Sequence, residues 1–370
     1  MASIFTTLAR NFGPRTRTAL RYVGFAGLGL VTFVFAFQLA LPVDRIKDKV
    51  IELLSDKYDV TIGSVERSII PGGVYFKAVS IRTRPTKTGD VATTFYMDQL
   101  GVDLGLFAAL HGTLSVNLDV KIGPGRARGK IALGKDGTTI KLDGDDLPSA
   151  NLPVREALGL PMSGKVRFAF ALDLPNEKAK GTGKAAPNWA KADGSFEFAC
   201  PSGCSVGDGK SKLKLTTNNA RQQEFLDQGG GGIDFGKVNI DSLFANVEIK
   251  SGKLEVTRFD TKSGDGDLRI ALGIALNQDI QSSQVTGCLR FHGSEALLKR
   301  EPKTHAAIST TGAPLGPDGL FHIKLEGQLR GMRRLGVVCS PAAGTSTETP
   351  GAAPARPNLP VPTEAPAKPP

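Results

Sequence analysis

Residues 114–122 read LSVNLDVKI, and the period of this stretch decides the fold. Leu114, Val116, Leu118, Val120 and Ile122 alternate with Ser115, Asn117, Asp119 and Lys121. Successive side chains of a strand point to opposite faces, so this alternation specifies a strand with one apolar and one wetted face. The signature returns at Val166 to Leu172, at Phe196 and Phe198, at Leu213 and Leu215, and at Val247 and Ile249. It continues at Leu254 and Val256, at Leu268 to Leu276 and at Phe321 to Leu329. Between these runs lie Gly134 to Gly137, Asp143 to Asp146, Ser251-Gly252 and Ser263 to Gly266, which read as hairpin turns. The body of the chain is therefore expected to be antiparallel β.

Hardly any amphipathic helix pattern follows residue 60, so nothing helical is on hand to cover the apolar strand faces. The expected domain is mainly β with few short helices, either an antiparallel β-sandwich or a curved β-groove. Stability favours faces packed on each other, with Val116, Leu118, Val120, Phe168, Phe170, Ile270, Leu272, Ile274, Ile323 and Leu325 as a dry core. A groove would instead offer its lining to an apolar ligand.

Working outward, Tyr22 to Val43, YVGFAGLGLVTFVFAFQLALPV, carries no charge and is long enough to cross a ~30 Å hydrocarbon core as a helix. Arg10, Arg15, Arg17 and Arg21 precede it without an acidic residue, and mixed charges follow it. The positive-inside rule then predicts a single-pass inner-membrane protein with a cytoplasmic N-terminus and the bulk of the chain in the periplasm. No small-x-small cleavage site stands near Leu41, which favours an anchor over a removed signal peptide.

The expected layout is a basic cytoplasmic segment (1–21), the span (22–43), an amphipathic helix (44–60) and a first β region (61–150). A short helix and polar loop (151–194), a second β region (195–339) and a disordered Pro/Ala-rich tail (340–370) complete it. The helix is drawn from Val43, Ile46, Val50, Leu53 and Leu54 at helical spacing, the interruption from NLPVREALGLP at 151–161 and the polar stretch at 176–192.

Composition narrows function. The net charge of +10 is spread singly along strands with no five-residue basic block, which argues against nucleic acid. Four cysteines in an oxidising compartment read as disulfides. Cys200 and Cys204 are expected to pair across CPSGC, and Cys288 with Cys339 if their strands are neighbours. The histidines at 111, 292, 305 and 322 form no zinc spacing with them, and His322 reads as exposed on the polar side of a strand. The glycines at 229–232 lack the Lys-Ser/Thr of a phosphate loop, and the Asp-Gly-Asp pairs at 143–146 and 265–267 lack the distal Glu of a calcium loop. No nucleophile elbow, metalloprotease motif or acid/base pair is evident, so no catalytic, cofactor or metal residue is expected.

A basic start, one span, a helix ending in KYDVTIG (57–63) and then strands resemble the opening of the AsmA-like proteins of Gram-negative envelopes. Through CSVGDGK (204–210), VEIKSGKLEV (247–256), KSGDGDL (262–268) and LRFHGSEALLKR (289–300), the chain is more similar to type II secretion system protein N. That resemblance implies a non-enzymatic, membrane-anchored component of the secretion apparatus that contacts other secretion proteins. The wider AsmA-like likeness implies instead lipid binding or transport in the envelope.

Overall fold

The structure, a computed structural model, describes residues 22–29, 32, 33, 36, 43–56, 58–68, 72–84, 94–105, 112–152, 160–178, 185–209, 212–214, 232–234 and 236–340. Of the expected span, residues 22–29, 32, 33 and 36 are helical, and the remainder up to residue 42 lies outside the described residues. Tyr22, Val23, Phe25, Leu28 and Phe33 are exposed there. Among the described residues, no helix is long and apolar enough to cross a membrane.

The amphipathic stripe becomes helix α1 (Val43–Leu54), shorter than expected, because the β-branched run Val60-Thr61-Ile62 is already paired as strand. Val50 and Ile51 of α1 pack on the core of the sheet. Seven strands then run up and down: β1 (Tyr58–Arg67), β2 (Gly73–Thr83), β3 (Thr94–Leu104), β4 (Leu114–Ile122), β5 (Gly125–Leu133), β6 (Gly137–Pro148) and β7 (Met162–Lys178). Each pairs antiparallel with the next.

The interruption expected at 151–194 does not break the sheet. The 153–159 part of the expected short helix lies outside the described residues, and Ser149–Asn151 forms a single 3-10 turn. β7 extends into the supposed polar loop as far as Lys178, and β8 (Ala185–Pro187) pairs back onto it. β9 (Asp193–Cys200) pairs with β7 directly. Alternating Phe168, Phe170 and Leu172 keep the strand period through this stretch, which is why it stays in the sheet.

After β9 come the short strands β10 (Cys204–Val206), β11 (Lys212–Lys214), β12 (Gly232–Asp234) and β13 (Val238–Ile240). β10 pairs with both β7 and β13, whereas β11 and β12 make a separate two-stranded sheet. Residues 228–231 of the glycine connector lie outside the described residues. The large sheet resumes with β14 (Ser242–Lys250), β15 (Lys253–Lys262), β16 (Gly266–Ala275) and β17 (Gln284–Gly293). It closes with β18 (Phe321–Gln328) and β19 (Arg333–Leu335), after the short helices α2 (Glu295–Arg300) and α3 (Pro302–Thr310).

Among the described residues the result is one antiparallel sheet of 17 strands, with β14 joined to β9 on one side and β15 on the other. Among the described residues a sandwich of two large sheets is not formed, because the second β region extends the first edge to edge. The Asp143 to Asp146 stretch, expected as a turn, lies within β6, where Asp143 faces Arg128 and Asp145 faces Arg126 across the ladder. Opposite-charge cross-strand pairs of this kind stabilise a wetted face, so turn-forming residue types are tolerated there.

Two cores are sealed. The larger joins Ile62, Phe76, Val79, Met97, Ile122, Leu147, Met162, Val166, Cys200 and Cys204, under α1 and the chain at Leu152. The smaller gathers Leu172, Leu174, Ala192 and Leu276, with Trp189 and Ile280 packed against them.

Candidate functional site

Residues directly opposite in an antiparallel pair share a face, so the register traces what each face presents. One row starts at Leu104 in β3 and passes through Val116, Ile131 and Ile140 to Leu172 in β7. It continues through Gly194, Ile249, Leu254, Ile274 and Val285 to Gly327 in β18. No polar side chain interrupts it. A neighbouring row runs Val74, Val102, Leu118, Gly129, Leu142, Phe170, Phe196, Val247 and Val256. Gly129 leaves room in that row for Leu142, whose Cδ2 occupies the space a Cβ would take.

The other face is charged. Arg126 is paired with Asp119, Arg258 with Asp260 and Lys250 with Glu248. Exposed pairs of this sort add little stability, but they keep that side wet and mark the opposite side as the one that must shed water.

Away from Leu172, Val256 and Val285, which are buried, the apolar face is only partly covered. All ten residues expected to form a dry core, Val116, Leu118, Val120, Phe168, Phe170, Ile270, Leu272, Ile274, Ile323 and Leu325, are only half-buried. At its margin Leu104, Leu114 and Leu133 are 45, 47 and 42 % exposed, and Phe196 is exposed as well. The physical reason is topological: with nearly every described strand in one sheet, only the small β11–β12 sheet remains apart from it. Phe170 meets Phe196 edge-on at 6.4 Å, and Phe196 stacks beside Phe198 at 6.4 Å, giving the face an aromatic patch. A polar cleft of about 580 Å³ lies apart from this patch at the ends of β17 and β18, lined by Gln284, Glu326, Arg330 and Arg333.

The cysteines divide into two kinds. Cys288 and Cys339 are joined by a disulfide with their Cα atoms 5.8 Å apart. In place of a bridge between Cys200 and Cys204 stand two buried free thiols. They hydrogen-bond to one another, and burial in the larger core pushes both up from the ordinary thiol range.

His322 is not exposed. It is 3 % accessible, because residues 311–320 and 336–340 return over the polar face of β18 at this point. Its Nε2 lies 2.7 Å from Asp318 Oδ1, and Asp318 Oδ2 accepts from Arg290 Nη1 at 3.1 Å. The hydrogen bond from His322 holds the Asp318 carboxyl at about 2. Cys288, His322 and Cys339 offer donor atoms within 4.8 Å of one another, but the two sulfurs are spent on their own bond. Asp265 is a buried carboxylate, accepting from Arg300 at 2.7 Å and from the Asn239 N–H at 2.7 Å. Sequence reading missed both clusters, whose members stand 26 to 35 residues apart around Asp265 and 28 apart between Arg290 and Asp318. Only Asp318 and His322, four residues apart, are near neighbours in the chain.

The chain matches no family model, no curated protein and no solved structure.

Proposed function

We propose that this chain is an envelope protein, anchored in the inner membrane through residues 22–43, that shelters the acyl chains of lipids on its apolar sheet face. What carries this reading is the apolar row from Leu104 to Gly327, bare of hydrogen-bonding side chains and half-buried or exposed except at Leu172 and Val285. A surface with no donors or acceptors suits hydrocarbon rather than a peptide or a sugar, whose polar groups would go unpaired. The exposed Tyr22, Phe25 and Leu28 support a bilayer as the source of such a ligand. Binding rather than catalysis follows from the same lining.

The test compares adjacent residues on opposite faces. A photo-crosslinking amino acid at Phe196 should capture a diacyl phospholipid when full-length protein is made in cells, whereas one at Glu197 should not. Equal labelling at both positions, or none together with lipid-free purified protein, would overturn the reading.

A second reading, a type II secretion component, is favoured by one observation. β1 has ten residues and, among the described residues, only β2 as a strand partner, so its outer edge can accept a strand from another secretion protein. Purified inner-membrane secretion subunits should then bind the chain, and proline substitutions along β1 should abolish that binding while leaving the Phe196 crosslink intact.

A further inference from the structure

We propose that the Cys288–Cys339 bridge is an exchange site for a dithiol, with His322 and Arg290 placed to receive the thiolate that leaves, and that its opening frees residues 333–340 from the edge of the sheet.

Three independent features meet there. First, the bridge is asymmetric: Cys288 is buried in β17, whereas Cys339 is half-exposed beyond β19. An incoming thiolate therefore reaches the Cys339 sulfur, and Cys288 is the leaving group. Second, the His322 ring is held for either protonation state. Its Nδ1 lies 3.2 Å from the Cys339 N–H and 3.0 Å from the Cys339 carbonyl oxygen. As a lone pair it accepts from the first, and as an N–H it donates to the second, while Asp318 holds Nε2 throughout. One nitrogen of the ring thus lies within 4.8 Å of both sulfurs, with the Asp318 carboxylate held at Nε2.

Third, the Arg290 Nε is buried without a hydrogen-bond partner. An unpaired buried guanidinium nitrogen is costly, and an anion forming beside it would relieve that cost. Arg290 stands two residues along β17 from Cys288, and alternation puts both side chains on the same face. A Cys288 thiolate would form among two cationic donors, the setting that stabilises thiolates generally.

The chemistry balances with a dithiol as the two-electron donor. Its thiolate attacks Cys339 Sγ, a mixed disulfide forms on Cys339, and the electron pair of the broken bond leaves on Cys288 Sγ. Cys288 takes its proton from the His322 imidazolium. The second thiol of the reagent then attacks its own sulfur in the mixed disulfide, expelling Cys339 as a thiolate that protonates from solvent and leaving the reagent as a cyclic disulfide. Afterwards β19, which pairs with Lys324 to Glu326 on the outer edge of β18, has lost its covalent tie.

The experiment uses the full-length chain in detergent. Dithiothreitol is added under native conditions, samples are quenched by alkylation, and the modified cysteines are mapped by mass spectrometry. Wild type should open about tenfold faster than His322→Gln. Glutathione, a monothiol, should be trapped on Cys339 in the wild type, a readout that does not depend on any variant folding. Hydrogen exchange over 321–328 should rise once the bridge is open. A bridge that opens only in denaturant, an adduct on Cys288, or equal rates in folded wild type and His322→Gln would overturn the proposal.

Discussion

Successive residues on one face of a single strand differ in how far they are covered. In β7 Val166 is 1 % exposed, packed with Leu147 and Met162 beneath α1, whereas Phe168 and Phe170, two and four residues on, are half-buried with the same outlook. Both regions obey the same alternation, and both carry residues of core type. The difference lies in what stands opposite: α1 and the chain at Leu152 close over the core that holds Val166, whereas among the described residues no α-helix packs on Phe170. An apolar strand face therefore states that water is to be excluded, and leaves open whether protein or ligand excludes it.

The largest effect that can break this comparison comes from one substitution made twice. Val166→Asp places an unpaired carboxylate in the sealed core, at a cost of roughly several kcal/mol, comparable with the whole stability of a domain. It should abolish cooperative unfolding measured by circular dichroism. Val116→Asp, in the open row beside exposed Leu104 and Leu114, leaves the new charge within reach of water. That protein should stay folded, with a lower thermal midpoint and loss of the Phe196 lipid crosslink. If Val116→Asp unfolds the chain as Val166→Asp does, the face is a core after all and the contrast fails.

The sequence made one half of this legible and hid the other. Alternation in LSVNLDVKI and its counterparts announced the strands, and the apolar row is simply those alternations in register. Whether the faces would close on each other depended on how β7, β9 and β14 join, a matter of pairing between residues far apart in the chain. Turn-forming types misled at Asp143 to Asp146, because Arg126 and Arg128 across the ladder make those aspartates good strand residues. His322 was hidden for a similar reason: strand period places it on the polar side, but the chain that buries it returns from residue 339.

A smaller effect, set by pH, should separate the periphery from the sealed core. Asp318 is held at about 2 by His322, and Asp265 is lowered by Arg300, so both carboxyls are more acidic folded than unfolded. The stability they contribute is present above the ordinary value of 3.8 and is lost as pH falls through it toward their folded values. Asp265 holds Arg300 of α2 and Asn239 of β13, and Asp318 holds the chain over β18. On acidification from pH 7 to about 3, hydrogen exchange should rise first over 236–241, 295–305 and 318–328, before it rises over 162–172. Simultaneous loss of protection in all four segments would show that these carboxylates do not hold the periphery separately.

The smallest expected effect is a gain, at a carboxylate lying directly behind the open row. Asp103 precedes Leu104 in β3 and points to the other face, where its Oδ1 is buried without a partner. Burial raises its carboxyl above the ordinary range, and the charge of Asp119 raises it further. A carboxyl raised in the folded state is one whose ionised form the fold disfavours, so at neutral pH the charge of Asp103 opposes folding, and the opposition fades as the group protonates. Asp103→Asn keeps the shape and removes the charge, and should raise the thermal midpoint at pH 7 while changing it little at pH 3. The Phe196 crosslink should be unaffected, since the substitution faces away from the lipid. A lower midpoint at pH 7 would mean that the Asp103 charge is satisfied by its surroundings, and that the back of the open face is better packed than its unpartnered oxygen indicates.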